Sequence, residues 1–277
     1  MAKSAEFPLL GQLGRLPAYL ELLAGLQVQG PAERHRGLGL PRAARLALLA
    51  ALHHDLQVPM LLLTNRADRA LGLFDELNFW LPDARNFYFP EPNPNFYEKL
   101  PWSESTRRER LQVFAELARY LLPGSHAPEQ APVIVAPVRS VMSRTIPRRD
   151  FLKQTMRLEL NQKRDLNETI RQWVGLGYQP SSIVVQPGQF SRRGGILDLW
   201  SPSQPMPIRL EFFGDELDTL RFFNPATQRS EAKLDKALIF PASEALPAFA
   251  EKAGLELDTL SELDIPRLYG FPASLMD

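Results

Sequence analysis

The sequence predicts an α/β domain built on a parallel sheet, together with an α+β domain built on an antiparallel sheet. Two patterns along the 277 residues carry this prediction. In the first half, short apolar runs alternate with amphipathic helices, as buried parallel strands do. From Ser182 onward the apolar period falls to two, and turn residues separate the segments, which is typical of an antiparallel meander.

The first half opens with helices. Leucines at helical spacing predict a helix over 16–27, and a second helix is expected from Pro41, whose missing N–H suits a first helical turn. The run VPMLLLT, 58–64, predicts a buried strand, and RADRALGLFDELNFWL predicts the next helix. This order of helix, strand and helix is that of an α/β layer.

The segment 87–102, FYFPEPNPNFYEKLPW, is expected to be a proline-broken loop. Its aromatic side chains could stack on bases, but we favour a role in plugging the edge of the domain. Ser103 or Ser105 can cap the helix that follows. The predicted buried stripe of that helix is Leu111, Phe114, Leu117 and Leu121. A second strand, PVIVAPV, then completes the first unit near Val141.

The second half is expected to combine a helix with an antiparallel sheet. The helix is predicted over 165–175, and the strands are IVVQPGQF, GGILDLW, PIRLEFF and ELDTLRFF. Alternation along the third strand places Arg209, Glu211 and Phe213 on the side opposite its apolar residues. One face of the predicted sheet is therefore packed and the other is open.

Composition excludes several classes of function. Lys plus Arg and Asp plus Glu both total 32, so the net charge of zero argues against nonspecific phosphate binding by the whole chain. The absence of cysteine excludes disulfides, thiolate metal sites and cysteine nucleophiles, and is compatible with a reducing cytosol. No apolar run reaches the roughly 18 residues of a membrane span, and no signal-peptide pattern opens the chain.

A phosphate-binding loop would precede the helix that begins at Pro41. Such a loop needs glycines, a lysine and a serine or threonine, but Leu40, Pro41, Arg42 and Ala43 stand at those positions. Pro41 also lacks the N–H that could cradle a phosphate. The four histidines lack a metal-binding spacing, and no serine resembles a nucleophile elbow. We therefore expect no catalytic residue, no metal and no cofactor.

A basic run over 139–164 leaves two interpretations open. It could bind nucleic acid or an acidic protein surface, or it could be a solvated helix face, which the zero net charge favours. Its members are Arg139, Arg144, Arg148, Arg149, Lys153, Arg157, Lys163 and Arg164.

The segment PGQFSRRGGILDLWSPSQPMPIRLEFFGDELDTLRFFNPATQRS, 187–230, resembles the UvrB homology module. It more closely resembles the N-terminal part of the bacterial transcription-repair coupling factor family (Mfd). The shared frame is PG-x-F, RGG-x-LD, R-x-E-F-F-G-D-E-x-D and N-P-x-T-Q-R-S. The similarity extends through GLGLPRAARLALLAAL, LPWSESTRRERL, APVIVAPVRSVM and IFPASEALP, and so covers most of the chain from about residue 9.

The resemblance implies a degenerate helicase-like, P-loop-type domain over 1–142 and an inserted α+β domain that binds UvrA over 143–235. It implies that 236–277 return to the first domain and stop short of the motor. The chain would be a non-catalytic adaptor that recruits UvrA in transcription-coupled nucleotide excision repair, in the bacterial cytoplasm. The full-length protein would be an ATP-dependent DNA translocase that displaces stalled RNA polymerase. Its further domains would bind RNA polymerase and double-stranded DNA, and this module would contact the motor domains.

The resemblance also implies which residues bind UvrA. Arg193 matches the arginine before the glycine of UvrB, and Glu211 matches its glutamate. Ser191 stands where UvrB has the alternate arginine, and Arg192, one position along the strand, would face the other way. The expected UvrA-binding set is Arg193, Glu211, Arg192, Phe190, Arg209 and Phe213, a composition typical of interface hot spots.

Three alternatives stay open. Arg193 and Glu211 could merely pair with each other across strands, which is worth about 0.2–1 kcal/mol. The chain could be a nucleotide-binding or helicase-like domain that acts on nucleic acid, or it could bind DNA through 139–164. The segment 87–102 is shorter than the DNA-clamping hairpin of UvrB, so direct verification of damage is not expected.

Overall fold

The computed structural model describes residues 8–27, 37–92, 103–122, 130–143 and 145–247. The chain divides into two compact units, Met1–Arg144 and Thr145–Asp277. The domain boundaries expected near 142 and 235 stay predictions.

The first unit alternates helices with parallel strands. Its helices are α1 (Pro8–Leu13), α2 (Pro17–Gln27), α3 (Arg45–Leu56), α4 (Ala67–Trp80), α5 (Glu104–Arg119) and α6 (Val138–Met142), with a 3₁₀ turn at Arg42–Ala44. Its strands are β1 (Met60–Thr64), β2 (Arg85–Tyr88) and β3 (Pro132–Pro137). Within the described ranges these strands form a parallel sheet of order β1-β3-β2, which confirms the parallel sheet predicted from the sequence.

The central strand β3 is buried along its whole length because helices cover both of its faces. On one face Val133 and Val135 pack with Leu46 of α3 and Leu77 of α4. On the other, Ile134 and Ala136 pack with Phe89 and with Val113 of α5. The edge strand β1 is less protected, since Leu61 and Leu63 are 54% and 48% exposed.

The predicted buried stripe of α5 is only partly correct. Ser103 caps the helix as expected, accepting a 3.1 Å hydrogen bond from the backbone N–H of Thr106. Leu111 is buried, but Leu117 and Leu121 are exposed. The reason is that charged side chains occupy the buried face. Arg110 lies 4.2 Å above the ring of Phe89, and Glu116 accepts a 2.6 Å hydrogen bond from Arg85. An apolar pattern cannot reveal such pairs.

The segment 87–102 differs from the loop expected for it. Phe87 and Tyr88 complete β2, where they pair with Ile134 and Val135 of β3. The remaining part, 93–102, lies outside the described residues.

The second unit is built mainly from antiparallel strands. Its helices are α7 (Arg148–Lys153) and α8 (Leu166–Gly175). Its strands are β4 (Met156–Glu159), β5 (Gln179–Pro180), β6 (Gln189–Arg193), β7 (Ile196–Leu199), β8 (Ile208–Phe213), β9 (Glu216–Phe223), β10 (Ser230–Lys233) and β11 (Lys236–Ile239). Within the described residues, one sheet has the order β10-β9-β8-β7-β6-β5, and β4 pairs with β11.

The antiparallel meander predicted from the sequence is confirmed for β6 to β9. The first of these strands begins at Gln189 rather than at Ile183, and β5 pairs with it in parallel. The chain is therefore a mixed α/β protein, with a parallel sheet in one unit and antiparallel sheets in the other.

Helix α8 covers one face of the six-stranded sheet. Asp165 caps it by accepting a 2.7 Å hydrogen bond from the N–H of Glu168. Trp173 is fully buried, with its ring 5.8 Å from that of Phe190, and Leu197 and Leu210 complete the core around it. We call this side of the sheet the packed face.

Candidate protein-interaction surface

Two cross-strand rows place charged side chains on the side of the sheet opposite the packed face. The first row is Arg193, Ile196, Glu211 and Thr219, and the second is Ser191, Asp198, Arg209 and Arg221. Residues directly opposite one another in antiparallel strands share a face, so each row lies on one side of the sheet. We call these residues the open face, although the sequence-based expectation of openness holds only in part, because Ser191 and Asp198 in the second row are buried.

The glycine pair after Arg193 shapes the end of β6. Gly194 has φ +60°, in the left-handed region that a side chain disfavours. A Cβ on Gly195 would lie 3.0 Å from the carbonyl oxygen of Phe212. Gly195 also accepts a 2.9 Å hydrogen bond from the N–H of Phe212. The two glycines therefore permit a tight turn into β7 and a close approach of β8, which fixes the position of Arg193.

A buried carboxylate lies at the centre of the open face. The side chain of Asp198 has 0% exposure and accepts hydrogen bonds from two arginines. Arg209 donates from Nε at 2.7 Å and from Nη2 at 2.9 Å, and Arg193 donates from Nη2 at 2.7 Å. Three charge-assisted bonds thus satisfy a carboxylate that would otherwise be costly to bury.

Asp198 was not predicted from the sequence as the partner of these arginines, and a direct pair between Arg193 and Glu211 was left open. Instead, Glu211 accepts a 2.8 Å hydrogen bond from Thr219. Alternation along β7 could have predicted this placement, because Asp198 lies two residues from Ile196 and so shares its face of the sheet.

Arg209 is held by contacts within the domain. Its side chain is 11% exposed, Nη1 donates to the carbonyl oxygen of Gln228 at 3.1 Å, and the guanidinium lies 4.7 Å from the ring of Phe223. Hydrogen bonding to Asp198 raises the pKa of Arg209 above its ordinary value. The side chain of Gln228 donates to the carbonyl oxygen of Val184. Part of the N-P-x-T-Q-R-S motif therefore supports Arg209.

Three members of the predicted set, Arg193, Glu211 and Phe213, lie at least partly exposed on the open-face side. The side chain of Arg193 is 46% exposed, and Glu211 is half-buried. Phe213 is 84% exposed and precedes Gly214, whose φ is +65°. Regular alternation along β8 puts Phe212 on the packed face against the core, so Phe213 projects from the opposite side.

Two predicted residues are placed elsewhere. Phe190 is opposite Leu199 on the packed face and only 5% exposed, so we remove it from the expected contacts. Arg192 is exposed, but its row also belongs to the packed face. Its Nη1 donates at 2.7 Å to Asn167 in the first turn of α8. Arg192 therefore points away from Arg193, as the alternation along a strand requires.

The described ranges contain no group of three His, Asp or Glu side chains that could hold a metal ion. In the basic run, Arg148, Arg149 and Lys153 lie exposed on α7, and Arg157 forms an ion pair with Glu159 at 2.7 Å. Arg144 lies outside the described residues. No helix in the described part of the chain is long and apolar enough to cross a membrane.

Residues 156–244 match the family model of the UvrB interaction domain. This part of the second unit is therefore similar to the UvrB interaction domain. The matched range begins at the first residue of β4 and includes every residue of the open face. The candidate surface therefore lies within the range that matches the UvrB interaction domain.

Similarity to known proteins extends beyond the UvrB interaction domain. The chain is 30% identical over 225 residues to a transcription-repair-coupling factor of Bacillus subtilis, and 32% identical over 220 residues to that of Myxococcus xanthus. These alignments cover 79% and 77% of this chain and 18% of each relative. It is 27% identical over 240 residues to the UvrABC system protein B of Gloeothece citriformis, covering 82% of this chain and 36% of that protein. The resemblance inferred from the sequence is thus confirmed, and the chain spans 18% of the length of the coupling factors that it matches.

Proposed function

We propose that the open face of the UvrB interaction domain docks UvrA, and that the chain is a non-catalytic adaptor in transcription-coupled nucleotide excision repair. The observation that carries the proposal is that an exposed arginine and an exposed aromatic lie on the same side of one sheet. Arg193 is anchored through Asp198, and Phe213 projects 84% exposed on the same side. Arginine and aromatic residues dominate binding energy at protein interfaces.

The charges of the open face indicate what it would contact. Arg193, Arg209 and Arg221 share the face with Asp198 and Glu211, so arginine is in excess. Arg209 is engaged within the domain, whereas Arg193 donates a single hydrogen bond among the described residues. The planar guanidinium of Arg193 can therefore bind a carboxylate of the partner. Glu211 would contact a basic or hydrogen-bond-donating group.

The proposal extends to the whole protein. The matched coupling factors support a parent that is an ATP-dependent DNA translocase, with RNA polymerase and double-stranded DNA as partners and with this module in contact with the motor. The first unit would be a degenerate helicase-like domain of that cytoplasmic protein. Its parallel sheet, together with Pro41 where a phosphate loop would need an N–H, supports this assignment.

Isothermal titration calorimetry with purified UvrA tests the docking proposal. Arg193→Ala and Glu211→Arg should each weaken binding about tenfold or more, roughly 1.4 kcal/mol, with unchanged circular dichroism. The matched controls are Arg171→Ala, on the exposed side of α8, and Glu231→Arg, on the exposed edge strand β10. Both controls should bind as the wild type does.

Two outcomes would contradict the proposal. If the wild-type chain does not bind UvrA, the adaptor role fails, and salt-dependent DNA binding by the basic run becomes the function to test. If the wild type binds and both open-face variants bind equally well, UvrA docks on a different surface.

A further inference from the structure

We infer that Asp198 is a positioning residue for UvrA docking, which holds the guanidinium of Arg193 in its binding orientation without contacting UvrA itself. This inference rests on the proposed function of the open face. Asp198 has 0% side-chain exposure, so a partner cannot reach its carboxylate. Its effect on binding must pass through the arginines that it holds.

The two arginines that contact Asp198 differ in how many hydrogen bonds they donate within the domain. Arg209 donates to Asp198 from two nitrogens and to Gln228 from the third, so all three of its guanidinium nitrogens are engaged within the domain. Arg193 donates to Asp198 from Nη2 alone, and no other hydrogen-bond acceptor for Arg193 occurs among the described residues. Nε and Nη1 of Arg193 are therefore available to a carboxylate of the partner.

The carboxylate also sets the charge of the site. Arg193 and Arg209 converge on one carboxylate, and without it two guanidinium groups would lie close together with no opposite charge between them. With Asp198 in place, the group retains one positive charge, which suits a single carboxylate on UvrA. Pre-ordering Arg193 also reduces the rotamer entropy lost when the complex forms.

Asp198→Asn is the most direct test because it preserves shape while removing the charge. The amide keeps one uncharged oxygen to accept from the two arginines, and its NH2 would face a nitrogen that also donates, so Arg193 should lose its charge-assisted hydrogen bond. A paired variant, Asp198→Leu with Arg209→Met, replaces the buried ion pair with apolar side chains and serves if Asp198→Asn does not fold. Arg193 loses its charged acceptor in both variants.

The first measurement does not depend on UvrA. Nitrogen-15 relaxation of the Arg193 Nε–Hε group reports its motion in the free 277-residue chain. We expect a rigid signal in the wild type, and in the variants a mobile signal like that of the exposed Arg171. Arg193→Ala identifies the resonance. Equal mobility in the wild type and the variants would overturn the positioning role.

The second measurement is a double-mutant cycle of UvrA affinity. If Asp198 acts through Arg193, Asp198→Asn should weaken UvrA binding, and the fold-change should be at least half of that caused by Arg193→Ala. Adding it to Arg193→Ala should cause less than a further twofold loss. Losses that multiply instead would overturn the inference, as would unchanged binding by Asp198→Asn.

The control for lost stability is Ile208→Val, a conservative change of a fully buried residue on the packed face. It should lower the unfolding temperature and leave UvrA affinity unchanged. Failure of the wild type to bind UvrA would remove the proposed function, while the relaxation data would still decide whether Asp198 positions Arg193.

Discussion

Arg193 on β6 donates a 2.7 Å hydrogen bond to Asp198, its diagonal neighbour on β7. An exposed side chain is thereby fastened to a buried one. Removing the buried Asp198 and removing the exposed Arg193 should therefore change the stability of the domain by different amounts.

Asp198→Ala should destabilise the domain far more than Arg193→Ala. Removing the carboxylate leaves the guanidinium of Arg209, only 11% exposed, without its partner, which costs about 3–5 kcal/mol. Removing the half-exposed Arg193 should cost less than about 1 kcal/mol, since Arg209 still pairs with Asp198. Urea unfolding of both variants measures the difference, and equal midpoints would contradict it.

Phe213→Ala should separate binding from stability. Since the ring is 84% exposed, its removal should change the free energy of unfolding by less than about 0.5 kcal/mol. UvrA binding should weaken roughly fivefold or more, because exposed aromatics anchor interfaces. Val174→Ala, at a 46% exposed position on α8, is the apolar control and should leave affinity unchanged. Equal affinity of the wild type and Phe213→Ala would exclude the ring from the interface.

Replacing glycine with alanine should change the free energy of unfolding in opposite directions at two positions. At Gly194, φ +60° makes alanine cost about 1–2 kcal/mol, although a Cβ there meets no atom within 4 Å. At Gly72, inside α4 and also free of close atoms, alanine should stabilise by about 0.5–1 kcal/mol. Thermal unfolding of both variants tests the signs, and a stabilising Gly194→Ala would refute the strain at this turn.

Acid should weaken the first unit through Asp55. Burial opposes ionisation of this carboxylate, but hydrogen bonds from Tyr19 at 2.5 Å and His54 at 2.9 Å hold its pKa below the ordinary value. A lowered pKa in the folded state contributes stability above the unfolded pKa. That contribution is lost as pH falls through the folded value, below about pH 4.

The measurement is urea unfolding between pH 7 and pH 2.5, comparing the wild type with Asp55→Asn. The free energy of unfolding should fall less steeply with acid in the variant, because it lacks this titrating group. Parallel curves would show that Asp55 contributes nothing to acid sensitivity.

The backbone of the sheet was predictable because apolar residues repeat at every second position. Ile208 and Leu210 on one side, with Arg209 and Glu211 on the other, are enough to assign the two faces of β8. The parallel pair of β1 and β3 was predictable for a similar reason, since each is an apolar run next to a helix.

The partners of the charged side chains were not predictable in the same way. Asp198 contacts Arg193 only because a two-residue turn brings β7 beside β6, and the lengths of side chains decide which nitrogen reaches which oxygen. Phe190, in contrast, was expected at the interface but lies in the core. An aromatic next to arginines resembles an interface anchor, but one step along a strand places it against Trp173 in the core.

Strand β1 has a consequence for handling the protein in the laboratory. Met60–Thr64 contains neither proline nor charge, and among the described strands it has one neighbour, with Leu61 and Leu63 half-exposed. An apolar edge of this kind is a template for pairing with another chain. Stored, concentrated samples should therefore accumulate oligomers through the first unit. A fall in the concentration of monomer during storage would then reflect association through β1, even when the surface proposed to bind UvrA is intact.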